Sequence, residues 1–194
     1  IKISGNPSTE RIDPGSTEDF VEIDELVSPP LEEIAEVLNH ESVNLYAEHL
    51  VREMGKKFKS SGSADSGLVV IDEFLAAAGI NSEGIFMEDG SGLSPLNSVS
   101  AEGLTGLLLF MKTKSKYSEV FFNFLPEAGR EGTLKNYFRD PVFENRLAAK
   151  SGSMTRVRAY AGYLKTVSGK DLKFIPYAWW ANRDPSPMTV FFNL

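Results

Sequence analysis

The hydrophobic period of this chain changes near residue 146, and that change limits the fold more than any other feature. Arg146-Leu-Ala-Ala alternates as a strand does, Lys150-Ser151-Gly152-Ser153 follows, and Arg156 to Leu164 reads as a second strand. Val167-Ser-Gly-Lys-Asp then reads as a hairpin turn into Leu172-Lys-Phe. Upstream the period is helical. Leu31, Ile34, Val37 and Leu38 form one stripe, and Ala47, Leu50, Val51 and Met54 form another. Val70, Ile71, Phe74, Leu75 and Ala78 form a third, and Leu104, Leu107, Leu108 and Met111 a fourth. Helices followed by a C-terminal hairpin predict an α+β class: a helical subdomain plus an antiparallel sheet.

Local signals set the expected boundaries. Ser28 is the predicted cap of the first helix, with Pro29 and Pro30 in its first turn. Asn39 to Glu41 break that helix, and Ser42 starts the next, which Gly55 helps to end. Ser60 to Gly67 reads as a loop, and Gly79 stops the third helix. Val21 to Val27 alternates like a half-buried strand, and Ile85-Phe-Met is a short strand candidate. Asp89-Gly-Ser-Gly and Ala128-Gly-Arg-Glu-Gly-Thr are turns, and Ser100 caps the fourth helix. Ser118 to Leu125 fits helix or strand, with Phe121, Phe122 and Phe124 assigned to the core. Ile1-Lys-Ile-Ser reads as the middle of a strand, which favours a truncated start, and residues 1–20 otherwise read as loop.

A chain of 194 residues with 42% apolar content supports one sizeable core. A net charge of −7 argues against nucleic acid as a partner. Lys56, Lys57 and Lys59 fall at a helix end, where they complement its dipole. With no cysteine, disulfides, thiolate catalysis and cysteine-based zinc sites are excluded. The longest apolar run, Leu107 to Met111, is too short to span a bilayer, so no transmembrane segment is expected. His40 and His49 do not have a metal spacing and are expected in solvent, and Glu32, Glu33 and Glu36 read as a solvated helix start. No metal or other cofactor is called for.

The chemistry sits in two short elements. Lys150, Ser151 and Gly152 bring a cation, a hydroxyl and close backbone access to one strand end, which suits an anionic substrate terminus. Ser42-Val43-Asn44 supplies a hydroxyl and an amide at the head of an amphipathic helix far upstream. Taken alone, Ser42 is equally an N-cap and Lys150 an edge-strand gatekeeper.

Together these elements resemble two of the three motifs of the penicillin-binding and serine β-lactamase families, Lys-[Ser/Thr]-Gly and Ser-x-Asn. Over roughly residues 20–175 the chain resembles the serine D-Ala-D-Ala carboxypeptidase/endopeptidases called S13 peptidases. Ser28-Pro-Pro-Leu, Glu41-Ser-Val-Asn-Leu-Tyr-Ala-Glu and Asp89-Gly-Ser-Gly-Leu-Ser carry the likeness. So do Leu125-Pro-Glu-Ala-Gly-Arg-Glu-Gly-Thr-Leu, Ala149-Lys-Ser-Gly-Ser and Ala161-Gly-Tyr, in that order. The resemblance implies a penicillin-binding/serine β-lactamase-like fold and serine acyl transfer on peptidoglycan stem peptides ending in D-Ala-D-Ala, with β-lactams acylating the same serine. It implies a periplasmic or otherwise extracytoplasmic bacterial setting. By matching position, Ser42 would relay a proton to the leaving amine and Asn44 would bind the acyl part's amide. Lys150 and the Ser151 hydroxyl would hold the terminal carboxylate. Gly152 would let the substrate lie along the strand edge, and the Ser153 N–H would form half of an oxyanion hole.

The chain departs from the family pattern in several places. Ser151 stands where Thr is commoner, and Val43 where Asp is common. Ser-x-x-Lys, the family's nucleophile motif, occurs nowhere in the 194 residues. The expected organisation is therefore residues 1–20 as the end of an inserted domain or a linker, and 21–194 as the C-terminal part of a peptidase domain. On its own such a fragment is expected to be inactive. Ile175 to Pro187 carries three prolines and no helical period, so residues 175–194 are read as an atypical tail. The alternative is a non-catalytic module that keeps this fold to bind peptidoglycan or a protein partner.

Overall fold

The structure, a computed structural model, describes residues 24–154, 157–166, 168, 171–172 and 177–180, the last two segments as backbone only. Their order is α1 (Leu31–Glu41), α2 (Asn44–Lys59), α3 (Ala64–Ala77), α4 (Ala101–Thr113) and α5 (Ser118–Asn123). Two 3-10 turns, Gly132–Leu134 and Pro141–Phe143, lead into β1 (Leu147–Met154) and β2 (Val157–Lys165). β3 (Asp171–Leu172) and β4 (Tyr177–Trp180) complete the described chain. All four strands belong to one antiparallel sheet. β1 lies on one edge of β2 in the register Lys150↔Ala161, and β3 and β4 both pair with β2. The α+β class and the C-terminal hairpin expected from the sequence are present.

Several boundaries differ from the sequence reading. α1 begins at Leu31 with no side-chain cap, so Ser28 does not cap it. Pro29 precedes a second proline, which disfavours helical backbone there, and the helix starts only after both. Asn39 does not break α1, because its side-chain amide donates to the Ala35 carbonyl at 2.9 Å and stays within the helix. Ser42 does not start α2 either. It closes α1 in left-handed backbone, φ 57 and ψ 52, and α2 opens two residues later. Gly55 lies inside α2, and the Ser60–Gly67 loop is short because Ser63 caps α3 by accepting from the Ser66 N–H. Both Gly55 and Gly67 are buried where these helices cross. A Cβ on Gly67 would stand 1.9 Å from the Val51 carbonyl oxygen, so only glycine permits this approach. Phe86 makes one bridge to Ser98 rather than a strand, and α5 settles the ambiguous 118–125 segment as helix.

Residues 24–27 carry no strand, and Leu26 is 98% exposed, while 1–23 lie outside the described residues. At the other end, within the stretch read as an atypical tail, β4 forms, with Tyr177 paired to Tyr160 and Trp180 to Val157. The prolines that obscured it flank the strand and leave Tyr177–Trp180 free of them.

Two apolar clusters hold the hairpin from its two faces. Leu108, Leu125, Ala148 and Tyr163 form one, with Phe121 packed against it. The Tyr163 hydroxyl donates to the Leu108 carbonyl at 2.8 Å and ties β2 to α4. Phe122 is half exposed, with its ring 5.7 Å from Tyr163, so the three phenylalanines are not equally core. Ala128, Leu134, Leu147 and Ala149 form the second cluster. β1 thus turns Ala148 to the α4 side and Leu147 and Ala149 to the Leu134 side.

Candidate functional site

The two sequence elements meet. Lys150 Nζ donates to Ser42 Oγ at 2.9 Å across a sequence separation of 108, and to the Ser151 carbonyl at 2.5 Å. Among the described residues no carboxylate forms an ion pair with Lys150. Burial alone pushes its ammonium below the ordinary lysine value. A partly desolvated cation with no counter-ion among the described residues is a site of positive potential suited to an anion.

Backbone geometry assigns the neighbouring groups. The Ala149 N–H donates to the Pro126 carbonyl, and the Leu147 carbonyl accepts from the Ala128 N–H, both on the edge of β1 away from β2. By strand alternation the main-chain groups of Ser151 and Ser153 point to that same edge. Beyond Ala149 no strand covers it among the described residues. Gly152 and Ser153 are exposed there. A Cβ on Gly152 would meet only the Ala159 Cβ, at 3.8 Å, so nothing in the described fold itself demands glycine at 152. Asn44, exposed, opens α2 two residues after Ser42.

Ser42 owes its position to a strained backbone. A non-glycine residue in left-handed conformation costs about 1–2 kcal/mol, and here it joins two helices at the point that meets Lys150. α2 is fixed from behind by the Asp89 turn. Gly90 sits so close that a Cβ would stand 2.7 Å from the Ala47 carbonyl, and the Ser91 N–H donates to Glu48 Oε1 at 2.9 Å. Burial pushes the Asp89 carboxyl up, but hydrogen bonds from Asn97 and from the Ser94 and Gly92 N–H groups outweigh it and hold it below its ordinary value.

Thr133 is the residue the sequence reading missed. Its hydroxyl lies 2.7 Å from that of Ser151. The turn that carries it also touches α1, because Gly132, at φ +44, leaves room for the His40 carbonyl. Two advance signals were there: Thr133 ends the Ala128-Gly-Arg-Glu-Gly-Thr turn, and it lies in the Leu125–Leu134 segment that carries the family likeness, but neither gave it a role. His40 is also corrected. Its Nε2 is buried without a hydrogen-bond partner among the described residues, since this turn packs against the end of α1. No group of three or more acidic or histidine side chains arranged to hold a metal occurs among the described residues. A hollow of about 850 Å³ opens at the far end of β1 and includes none of the six predicted residues. Its Glu127 and Glu131 carboxylates already accept from the N–H groups of Asn145 and Glu127.

Residues 14–184 match the D-Ala-D-Ala carboxypeptidase 3 (S13) family. The chain is 32% identical over 162 residues to a D-alanyl-D-alanine carboxypeptidase of Actinomadura sp. (strain R39), a match covering 81% of this chain and 30% of that protein. It is 25% identical over 154 residues to a D-alanyl-D-alanine carboxypeptidase DacB of Haemophilus influenzae, covering 78% of this chain and 32% of that one. Its fold superimposes on penicillin binding protein 4 of Haemophilus influenzae in complex with a β-lactam, with a TM-score of 0.70 and 25% identity, over 82% of this chain and 38% of the other. The chain therefore spans about a third of the length of these relatives.

Proposed function

Because the chain belongs to the D-Ala-D-Ala carboxypeptidase 3 (S13) family, we propose that it forms the substrate-holding wall of a serine peptidase acting on D-Ala-D-Ala ends of peptidoglycan outside the cytoplasm. The observation that carries this reading is the 2.9 Å contact between Lys150 Nζ and Ser42 Oγ. It joins a cation for the terminal carboxylate to a hydroxyl able to pass a proton, beside a strand edge that no described strand covers. In this reading a serine from a Ser-x-x-Lys segment outside these 194 residues attacks the carbonyl of the penultimate D-Ala. A C–O bond forms, the C–N bond breaks, and the departing amine takes its proton through Ser42. Water then releases the acyl group.

The residues divide the work. Ser42 Oγ accepts from the Lys150 ammonium, so its own proton is directed away from Lys150 and is free to be passed on. Lys150 and Ser151 hold the carboxylate, and Asn44 binds the acyl part's amide. The edge beside Gly152 receives the substrate backbone, and the Ser153 N–H donates to the oxyanion. A β-lactam, whose carboxylate and strained amide mimic the peptide end, would take the same place.

The test is covalent labelling with a fluorescent penicillin, read on a denaturing gel. The 194-residue chain alone should stay dark, and a form of the protein that also supplies Ser-x-x-Lys should label. Lys150→Ala in that form should label about 10²-fold more slowly, because it loses a charge-assisted contact that orients the reacting carbonyl. Stoichiometric labelling of the isolated chain would place the nucleophile within it and overturn the proposal. No labelling of the longer form would instead favour a non-catalytic binding module.

A further inference from the structure

Among the described residues, threonine hydroxyls inside helices bond to their own helix. Thr105 donates to the Ala101 carbonyl at 2.6 Å and Thr113 to the Leu109 carbonyl at 2.7 Å. Thr133 does not follow this pattern. Its short turn has no side-chain cap bond, and its hydroxyl is instead aimed at Ser151, 2.7 Å away. Local structure therefore gives no reason for a hydroxyl at 133, whereas Ser151 does.

Proton counting shows what the pair does. A serine or threonine hydroxyl has one proton to give. If Ser151 gives its proton to Thr133, Ser151 faces an incoming carboxylate with lone pairs only, and Thr133 must be the donor to the anion. If Ser151 donates to the anion, its proton toward Thr133 is replaced by one that Thr133 supplies. In both arrangements one proton of the pair reaches the anion and the other polarises the donor, which strengthens it. Removing the Thr133 hydroxyl leaves Ser151 unsupported in either case.

The hydroxyl is also held in place. Leu134, next to Thr133, is 0% exposed and packs with Leu147 and Ala149 on the face of β1 that carries Ser151. The Gly129 N–H donates to the Leu134 carbonyl at 3.1 Å, and Gly132 is pressed on the His40 carbonyl. The turn is thus clamped between the strand bearing Ser151 and the helix end bearing Ser42, so its hydroxyl is pre-organised before any ligand arrives.

We infer that Thr133 is a positioning and specificity residue for an anionic ligand end: with Ser151 it forms a two-hydroxyl relay that presents one donor to a carboxylate beside the Lys150 ammonium. This rests on the peptidase reading and adds to it a role for a residue to which the likeness assigned none, although Thr133 lies in the Leu125–Leu134 segment that carries it.

The test uses the form of the protein that labels with penicillin, and compares kcat/KM on an acyl-D-Ala-D-Ala peptide with that on the same peptide ending in D-alaninamide. Thr133→Val keeps the shape and removes the hydroxyl. It should lower kcat/KM about 10-fold on the free acid, chiefly through KM, and leave the already poor amide unchanged. Thr133→Ser should restore the acid value. If Thr133→Val does not fold, Thr133→Ala carries the same expectation, with thermal unfolding checked for each. Equal kcat/KM for wild type and variant on the acid would overturn the inference. An equal loss on acid and amide would overturn it too, since that is the mark of a general structural defect. Failure of the wild type to turn over either peptide would instead remove the peptidase reading on which the inference stands.

Discussion

Gly132→Ala tests whether the Ser42 end of α1 is really held by the Gly132-Thr133 turn. The added Cβ would lie 2.3 Å from the His40 carbonyl oxygen and 2.9 Å from its carbon. To reach even 3.0 Å, the oxygen must retreat by about 0.7 Å, still short of comfortable contact. His40 is two residues before Ser42 on the same chain end. Passed on in full, that retreat takes the Lys150–Ser42 contact from 2.9 Å to about 3.6 Å, beyond a hydrogen bond. The left-handed φ of +44 adds about 1–2 kcal/mol for any residue with a Cβ. The total expected cost is about 2–4 kcal/mol of stability, read from the urea midpoint. Penicillin acylation in the labelling form should fall about 10²-fold, because a displacement near 1 Å at a catalytic constellation costs that much. Gly129→Ala is the internal control. Its φ of +73 imposes the same backbone strain, but its nearest neighbouring atom is 3.5 Å away. It should lose only about 1–2 kcal/mol and label normally. If the two variants lose equal stability and label equally fast, the close approach between the turn and α1 is not what holds Ser42.

Three further outcomes follow from the same geometry. Ser42→Gly and Ser42→Ala both lose the contact with Lys150, but only glycine relieves the left-handed backbone, so Ser42→Gly should be the more stable by about 1 kcal/mol; equal denaturation midpoints would count against the assigned conformation. Burial raises the Tyr163 phenol to about 12, so the stability it contributes is complete below the unfolded value near 10 and is lost as pH rises from 10 toward 12. Urea titrations at pH 8 and above should show Tyr163→Phe lacking that alkaline loss, on the order of 2 kcal/mol, and about 1 kcal/mol less stable at neutral pH for want of the bond to Leu108. Gly162→Ala would set a Cβ 2.1 Å from the Ala148 carbonyl and should destabilise the hairpin by about 3 kcal/mol, whereas Gly62→Ala, with nothing within 4 Å, should be within about 0.5 kcal/mol of wild type by thermal unfolding.

Period and turn chemistry alone located α2, α3 and α4 to within a few residues and the β1–β2 hairpin with its Lys150-Ser151-Gly152-Ser153 stretch. Those signals are local: apolar spacing sets which face can be buried, and Ser100 does cap α4 through the Gly103 N–H as its position suggested. The family resemblance likewise needed only the order of short segments. What the sequence could not supply was anything that depends on a second element arriving. Taken alone Ser42 was equally an N-cap, its relay role came from the resemblance, and only the packed fold puts it at the end of α1 in left-handed backbone with Lys150 arriving from 108 residues away. Gly55 and Gly67 looked like a helix stop and a loop residue, because a glycine required by a crossing helix carries no local mark of it. β4 was hidden because a four-residue strand directly after Pro176 has no period to read, and its strand character comes from hydrogen bonds that β2 offers. Thr133 was one hydroxyl in a turn until β1 placed Ser151 2.7 Å from it. Local free energies of a few kcal/mol are written in short windows of sequence, but the contacts that gather Ser42, Thr133, Lys150 and Ser151 at one point exist only once the helices and the sheet have packed.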